Sequence, residues 1–318
     1  MSRTVAAVDC GTNSIRLLIA RQEQPGGPLV DLERHMEVVR LGYGVDRTGV
    51  LDPAAIDRTL DACRRYARLI AQHQVEAVRF VATSATRDAS NREAFVRGVR
   101  EILGVDPEVI SGDEEARLSF RGAVGALPDL PEGEILVVDI GGGSTELVLG
   151  RDEPTAAISL DLGSVRLTER CLPTDPPTPA EIDAARAEVD AQLDRAAAEV
   201  PWARARALVG VAGTVTTLTA LALNLEQYRP EATHGASLPV AQIQDLADTV
   251  LHSSRELRAQ HGAIHPGRID VIGAGALIWS RIIERVAAAG EINTVRTSER
   301  DILDGIAQSA LERLPDAS

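Results

Sequence analysis

The strongest constraint on this chain is a pattern that occurs twice along it. Thr4–Val8 and Ile15–Arg21 are short aliphatic runs on either side of a polar, glycine-bearing turn that begins at Asp9. The same order returns at Glu134–Asp139 and Glu146–Gly150. Short apolar runs joined by such turns predict β-hairpins. A chain that repeats a hairpin of this kind is expected to fold as two related domains.

The segments between the hairpins alternate between strand and helix patterns, so we expect an α/β fold. The chain has 318 residues, which is long enough for two α/β domains. The link 125–131 contains glycine and proline and places the boundary between them. We therefore expect a first domain over residues 1–124 and a second over residues 125–300. A last helix over residues 301–318, capped by Ser298, is expected to pack back on the first domain.

Helix starts are marked by polar residues that can cap the first turn. Asp52 stands before Pro53, as an N-cap residue does when proline occupies the first helical position. Ser111 to Glu114 and Thr178 to Glu181 each have the form of a capping box.

Charge and composition exclude several kinds of phosphate chemistry. The net charge of −14 disfavours a general nucleic-acid binder, because neutralising a phosphate backbone needs a basic surface. All 33 basic side chains are arginine, so the chain has neither a Walker-type lysine nor a Schiff-base lysine. Arginine remains well suited to binding phosphate through two hydrogen bonds.

The cysteines and the apolar runs indicate the compartment. Cys10, Cys63 and Cys171 are isolated and lack metal-type spacing, which favours a reducing compartment and no zinc site. The chain opens directly into a strand-like run, without the pattern of a signal peptide. Leu208–Leu223 is too short to span a bilayer. We expect a soluble, cytoplasmic protein that binds neither membrane nor nucleic acid.

The two hairpin turns are candidate phosphate sites. Turns built from Gly, Ser, Thr and Asn present backbone N–H groups with no bulky side chain in front of them, which is how proteins cradle anions. Asp9 and Asp139 stand at the rims of the turns, where carboxylates could hold hydrated Mg²⁺ against phosphate oxygens. The alternative is a pair of tight turns with capping aspartates, and the repetition disfavours it.

Six segments, in order along nearly the whole chain, resemble the motifs of the exopolyphosphatase/guanosine pentaphosphate phosphohydrolase family. Asp9–Leu17 resembles the family's first phosphate loop, D-x-G-S-N-S-x-R-L, and Val138–Glu146 its second. The others are Ala82–Arg87 (A-T-x-A-x-R), Ile110–Ala116 (S-G-x-E-E-A), Leu162–Glu169 and Val211–Thr214. The resemblance implies two duplicated actin-like (ribonuclease H-like) domains with a cleft between them. It also implies Mg²⁺-dependent hydrolysis, with Mn²⁺ as the alternative metal, and a homodimer.

The resemblance assigns a role to each matching residue. It makes Glu115 the catalytic base, supported by Asp139 and Arg87, and it makes Asp9 and Asp139 the metal ligands. The residues alone favour Glu115 as well, because Glu114 has a structural role in the capping box; a helix-dipole role for Glu115 is the alternative. The implied phosphate-binding residues are Thr12, Asn13, Ser14, Thr83, Gly141, Gly142, Gly143, Ser144, Thr145, Gly213 and Thr214.

Some assignments stay open. Arg87 has an alternative role as an ion-pair partner of Asp88 or another carboxylate, and Arg166 could equally be solvated. Arg16 is expected to support the first loop. The chain departs from the family near its end, where Leu303 replaces a common arginine and Asp301 a common glycine, which puts any phosphate contact there in doubt.

The favoured function is exopolyphosphatase, which releases orthophosphate from the end of inorganic polyphosphate. The main alternative is hydrolysis of guanosine pentaphosphate by the same machinery, and guanosine or adenosine polyphosphates are therefore candidate partners. An actin-like small-molecule kinase and a nucleotide-dependent switch or filament protein are alternatives of other classes. The compact chain and the availability of Glu115 for activating water disfavour the kinase.

Overall fold

The computed structural model of the chain describes residues 2–127 and 129–315. It divides into two compact units, one of Met1–Gly122 with Ile302–Ser318 and one of Ala123–Asp301. The domain boundaries expected from the sequence, after residues 124 and 300, remain a prediction. Pro128 of the expected link and residues 316–318 of the expected last segment lie outside the described residues.

The first unit contains a sheet and helices from both ends of the chain. Its elements are β1 (Arg3–Cys10), β2 (Ser14–Gln22), β3 (Leu29–Val38), α1 (Val45–Thr48), α2 (Pro53–Gln72), β4 (Ala77–Ala82), α3 (Ser84–Asp88), α4 (Arg92–Leu103), β5 (Glu108–Val109) and the greater part of α5 (Gly112–Val124). The last helix of the chain also belongs to this unit.

The sheet of the first unit has the strand order β3-β2-β1-β4-β5. The first three strands are antiparallel, whereas β4 and β5 run parallel to β1. Alternate residues of β1 therefore face opposite layers of helix. Val8 packs in a core with Phe95 of α4, and Ala7 packs in a separate core with Leu118 of α5 and Ile306 of the last helix.

The second unit has more helices and one additional strand. Its elements are β6 (Glu134–Ile140), β7 (Thr145–Gly150), β8 (Pro154–Leu160), α6 (Ser164–Cys171), α7 (Pro179–Glu199), β9 (Ala205–Val211), α8 (Ala212–Ala222), α9 (Pro230–Thr233), β10 (Ser237–Pro239), α10 (Val240–His252), α11 (Arg255–Ala259), α12 (Ile272–Ala289) and β11 (Thr294–Thr297). The last helix, α13 (Ile302–Glu312), follows and returns to the first unit.

The sheet of the second unit has the strand order β10-β11-β9-β6-β7-β8. Without β10, this is the order of the first sheet, with an antiparallel group β6-β7-β8 and two strands, β9 and β11, parallel to β6. One face of the sheet carries a core in which Leu136 and Leu208 pack with Trp279 of α12. The repeated topology confirms the α/β fold of two duplicated, actin-like domains.

The duplication extends to the register of the two hairpins. Asp9 lies opposite Arg16 across the first hairpin, and Asp139 lies opposite Glu146 across the second. The turns are closed in the same way, since Gly11 N donates to Ser14 O and Gly141 N to Ser144 O, both at 3.0 Å. The two hairpins differ in the charge that faces each aspartate, which is positive at Arg16 and negative at Glu146.

Three of the four expected helix caps are present and one is wrong. Ser111 Oγ accepts from Glu114 N at 3.2 Å in the first turn of α5. Asp52 caps α2 by accepting from Ala55 N, and Thr178 forms a complete capping box with Glu181 at the start of α7. Ser298 does not cap the last helix, which begins at Ile302. Its hydroxyl instead accepts from Arg300 N and donates to Arg300 O.

Within the described part of the chain, no helix is both long enough and apolar enough to cross a membrane.

Candidate active site

The first turn directs its backbone carbonyls toward the segment that follows β3. Thr12 O accepts from Gly42 N at 2.8 Å, and Asn13 O accepts from Val39 N and Arg40 N at 3.0 and 2.8 Å. In a trans peptide the N–H points opposite to the C=O of the preceding residue. The amide groups of Asn13 and Ser14 are therefore directed to the other side of the turn, as an anion cradle requires.

Gly42 sets how closely this segment approaches the turn. A Cβ atom at Gly42 would lie 2.5 Å from Thr12 Cγ2 and 2.8 Å from Ala85 Cβ. The Thr12 hydroxyl is shared with Ser84 at 2.9 Å, in a buried position. The first turn and the start of α3 are therefore fixed to each other.

Thr83 and Arg87 follow β4 at the edge of the sheet where β1 and β5 also end. Thr83 N donates to Cys10 O at 3.1 Å, which places the Thr83–Asp88 segment beside the first turn. The carboxyl ends of parallel strands in α/β sheets are the usual place for ligand groups. The structure brings these predicted residues together within the first unit.

Arg87 is paired with the predicted base. Its Nη1 donates to Glu115 Oε2 at 3.1 Å and to Ile110 O at 3.0 Å. The Glu115 side chain is 10% exposed and that of Arg87 is 25% exposed. Arg87 therefore does form an ion pair, as the alternative for this residue expected. Its partner is Glu115, the predicted base, so the ion pair does not argue against the predicted role of Arg87.

Glu114 has a different environment from its neighbour. Its backbone N–H donates to Ser111 Oγ at 3.2 Å, which caps the helix, and its carboxylate pairs with Arg79 Nη2 at 2.6 Å. The structure thus separates the two adjacent glutamates. Glu114 is joined to the interior of the first unit, and Glu115 is joined to the segment that carries Arg87.

Asp9 is neutralised by the residue opposite it in the hairpin. Arg16 Nε and Nη2 donate to Asp9 Oδ2 at 3.0 and 2.6 Å, and Asp9 is 5% exposed. The expected support of the first loop by Arg16 takes the form of this ion pair. A carboxylate already paired with a guanidinium is a weaker candidate for holding a cation.

The second turn has its carbonyls occupied by the start of α6. Gly141 O accepts from Ser164 N at 3.0 Å and Gly142 O from Val165 N at 2.8 Å. The side chain of Arg166 donates through Nε to Gly143 O at 2.7 Å. The three amide groups of residues 142–144 are therefore directed away from α6. Arg166, whose role was left open by the sequence, holds the last of these peptides.

The peptide of the second turn lies against Gly163 with no room for a side chain. A Cβ atom at Gly163 would lie 2.4 Å from both C and O of Gly142. Thr145 is fully buried, and its hydroxyl donates to Leu162 O at 2.6 Å. This favours a structural role for the Thr145 side chain, whereas Gly142 to Ser144 present the backbone donors.

Asp139 faces a second buried carboxylate, Glu146, which the sequence interpretation missed. The two residues are directly opposite across β6 and β7, and they are 7% and 1% exposed. Glu146 Oε1 accepts from Ser159 Oγ at 2.7 Å. Like charges directly opposite in a hairpin disfavour each other, and buried charges need compensation. The equal spacing from Asp9 to Arg16 and from Asp139 to Glu146 is the signal that could have found this residue.

Gly213 and Thr214 begin α8 at the carboxyl end of β9, which is parallel to β6. Arg268, from the turn before α12, lies directly over Gly213, where a Cβ atom would be 2.2 Å from its Cζ. The sequence interpretation missed Arg268 as well. The structure therefore adds a guanidinium group to this predicted phosphate-binding position.

Hard divalent cations bind oxygen ligands, and Mg²⁺ is commonly held by one or two carboxylates plus phosphate oxygens. The pair Asp139 and Glu146 fits this requirement better than Asp9, which Arg16 neutralises. Burial raises the pKa of the Cys10 thiol beside Asp9 well above its usual value, so this sulfur stays protonated. Across residues 2–127 and 129–315, no group of three or more His, Cys, Asp or Glu side chains is arranged as a metal site.

The divergent segment near the end of the chain has a structural role. Leu303 is 1% exposed and packs in the core between α13 and the first sheet. Asp304 pairs with Arg34 Nη2 of β3 at 2.6 Å. The leucine that replaces a common arginine therefore contributes apolar contact at this position.

Two sheets that share the order of five strands, each with a hairpin turn after its first strand, define a protein of actin-like fold. The model of the Ppx/GppA phosphatase family matches residues 18–313. The chain belongs to the Ppx/GppA phosphatase family.

Individual relatives agree with this assignment. The chain is 47% identical to exopolyphosphatase 2 of Mycobacterium tuberculosis over 312 residues, which cover 96% of this chain and 98% of that protein. The crystal structure of an exopolyphosphatase-like protein matches with a TM-score of 0.95 at 46% identity, covering 99% of both chains. The family member from Aquifex aeolicus matches with a TM-score of 0.81 at 33% identity, covering 99% of this chain and all of that one.

Proposed function

We propose that the chain hydrolyses the terminal phosphoanhydride bond of inorganic polyphosphate and releases orthophosphate. The proposal rests on the backbone of the two turns. The carbonyls at Thr12–Asn13 and Gly141–Gly143 accept hydrogen bonds from the protein, so the consecutive amide groups of each turn are directed away from those bonds. A chain made only of phosphates is a substrate that such donors can bind along its length. The similarity to an exopolyphosphatase of M. tuberculosis supports the choice of polyphosphate.

The first unit would supply the activation of water. Phosphoryl transfer needs chiefly positioning and charge neutralisation, together with one group that orients the attacking water. Glu115 is buried at the edge of the first sheet, and it would accept a proton from that water. Arg87, at 3.1 Å from Glu115, would bind the phosphoryl oxygens and fix the carboxylate.

The second unit would supply the metal site and further phosphate donors. Asp139 and Glu146 would hold Mg²⁺, or Mn²⁺ in its place, and the ion would neutralise charge on the phosphate oxygens. The amide groups of residues 142–144 and the guanidinium of Arg268 would bind phosphates.

The experiment measures orthophosphate release from short and long polyphosphate and from guanosine pentaphosphate, with Mg²⁺ present. We expect Glu115→Gln to lower kcat on polyphosphate by about 10² to 10⁴, the usual contribution of a general base. Glu93→Gln is the matched control, because Glu93 is an exposed glutamate in the first turn of another helix of the same unit. Its kcat should stay within about twofold of the wild-type value, as exposed substitutions away from a site usually do.

The outcomes separate the candidate substrates. Release from polyphosphate that is lost in Glu115→Gln supports both the reaction and the base. Release only from guanosine pentaphosphate would replace the substrate and keep the site. If wild-type protein releases orthophosphate from none of the three, the hydrolase proposal is wrong and the kinase and switch alternatives return.

We further propose, as the family resemblance implies, that the protein is a cytoplasmic homodimer. Sedimentation equilibrium tests the homodimer.

A further inference from the structure

Arg79 is a deeply buried charged group of the first unit that the proposed reaction leaves without a role. It lies on β4, with its side chain 3% exposed. A buried arginine is costly unless its guanidinium is compensated by charge and hydrogen bonds. The partners of Arg79 therefore indicate what it stabilises.

Three elements of the first unit meet at this guanidinium. Nη2 donates to Glu114 Oε1 of α5 at 2.6 Å and to Glu108 Oε2 of β5 at 2.9 Å. Nη1 donates to Ser309 Oγ of α13 at 2.6 Å. Glu108 also pairs with Arg313, the residue that directly follows α13, so the cluster continues to the end of that helix. The planar guanidinium has enough N–H donors for all these partners. The ammonium group of a lysine, placed at one point, could not reach all of them.

The cluster fixes the first turn of α5, where Glu115 is located. Glu114 is held at its side chain by Arg79 and at its backbone by Ser111 Oγ. The next residue, Glu115, donates its backbone N–H to Ser111 O at 3.0 Å and directs its carboxylate to Arg87. Adjacent residues of one helical turn point about 100° apart, so fixing Glu114 also fixes the direction of Glu115.

We propose that Arg79 is a positioning residue for Glu115, acting through Glu114 and holding α13 as the support of that turn. This inference rests on the proposed role of Glu115 as the base. It gives the two adjacent glutamates complementary tasks, one structural and one chemical. It also gives α13 a part in the reaction although none of its residues is proposed to touch substrate.

The test uses Arg79→Lys and Glu114→Gln, with Arg121→Lys as the matched control. Arg121 also joins α5 to α13, through Glu312 Oε2 at 2.9 Å, but it lies in the last turn of α5. A misplacement of about 1 Å can cost about 100-fold in rate. We expect kcat on polyphosphate to fall between about 10-fold and 100-fold in the two test variants. KM should change less than about twofold, because the phosphate-binding turns are untouched.

A double-variant cycle separates positioning from a general loss of stability. In a Glu115→Gln background there is no base left to position, so adding Arg79→Lys should lower kcat no further. Hydrogen exchange supplies a readout that does not need activity. The amides of residues 112–118 should exchange faster in Arg79→Lys, with the strands of the first sheet unchanged.

The results that overturn the inference are distinct from those that overturn the proposed function. If wild-type protein is active and both test variants keep kcat within twofold, Arg79 does not position Glu115 and the function stands. Additive losses in the double variant, or faster exchange throughout the first unit, would also overturn it. If wild-type protein releases no orthophosphate, the proposed function fails, and unchanged exchange over residues 112–118 in Arg79→Lys would then overturn the positioning of this turn.

Discussion

Substituting Gly163 by alanine should disable the second phosphate turn by steric contact alone. Gly163 has φ −146° and ψ 164°, an extended backbone that alanine adopts without strain. The added methyl group would lie 2.4 Å from the carbonyl carbon and oxygen of Gly142 and 2.5 Å from Gly143 N. These are backbone atoms, which cannot rotate away as the end of a side chain could.

The size of the effect follows from the displacement needed. Carbon and oxygen atoms in ordinary contact are separated by at least about 3.4 Å, so the turn or the start of α6 must shift by about 1 Å. Such a shift breaks the 2.8 Å bond from Val165 N to Gly142 O and tilts the amides of residues 142–144. Loss of one aligned donor costs about 10² to 10³ in kcat. We expect kcat/KM on polyphosphate to fall about 100-fold, which corresponds to about 2.7 kcal/mol.

The assay is orthophosphate release at fixed Mg²⁺, measured well below the thermal midpoint because overpacking also costs about 1–3 kcal/mol of stability. Gly290→Ala is the matched control in the same unit. Its backbone is also extended, and the nearest atom to its Cβ would be 3.6 Å away. A folded Gly163→Ala protein with kcat/KM within threefold of wild type would refute the role of the turn amides.

Three further predictions follow from the carboxylates described above. Glu146→Gln should raise the Mg²⁺ concentration for half-maximal release about tenfold by removing one of two proposed ligands, and an unchanged Mg²⁺ titration would contradict that site. Burial alone would raise the pKa of Glu108, but hydrogen bonds from Arg313 and Arg79 outweigh it and hold the pKa below its usual value. Its stabilising effect is therefore present above about pH 4.3 and lost as pH falls further, and thermal midpoints of Glu108→Gln and wild type should converge in acid. Asp52→Ala should cost about 1 kcal/mol of unfolding free energy in denaturant titration, since it removes the cap on Ala55 N.

The sequence was sufficient where a local pattern determines the structure. The hairpins follow from short apolar runs around glycine-bearing turns, and α2 and α7 begin at the caps that Asp52 and Thr178 provide. The residue seven positions after each aspartate is also its partner across the hairpin. Their meaning appears only once the register places Arg16 opposite Asp9 and Glu146 opposite Asp139.

The sequence was insufficient where tertiary packing brings distant residues together. Arg268 reaches Gly213 from 55 positions further along the chain, and nothing in the local pattern around it indicates an anion. Serine is a common N-cap residue, but the hydroxyl of Ser298 forms its hydrogen bonds with the backbone of Arg300, and the helix starts four residues later. The different roles of Glu114 and Glu115 likewise depend on Arg79, which lies on β4, 35 positions before Glu114 in the chain.

The return of α13 to the first unit has a consequence for synthesis of the protein. The first sheet needs Leu303 and Ile306 to cover one of its faces, yet these residues are translated after the whole of the second unit. The second unit is continuous in the chain and can fold as soon as it has emerged. The nascent protein would therefore carry an unfinished first unit with an apolar face exposed until α13 has been translated, and it is most prone to aggregation during that interval.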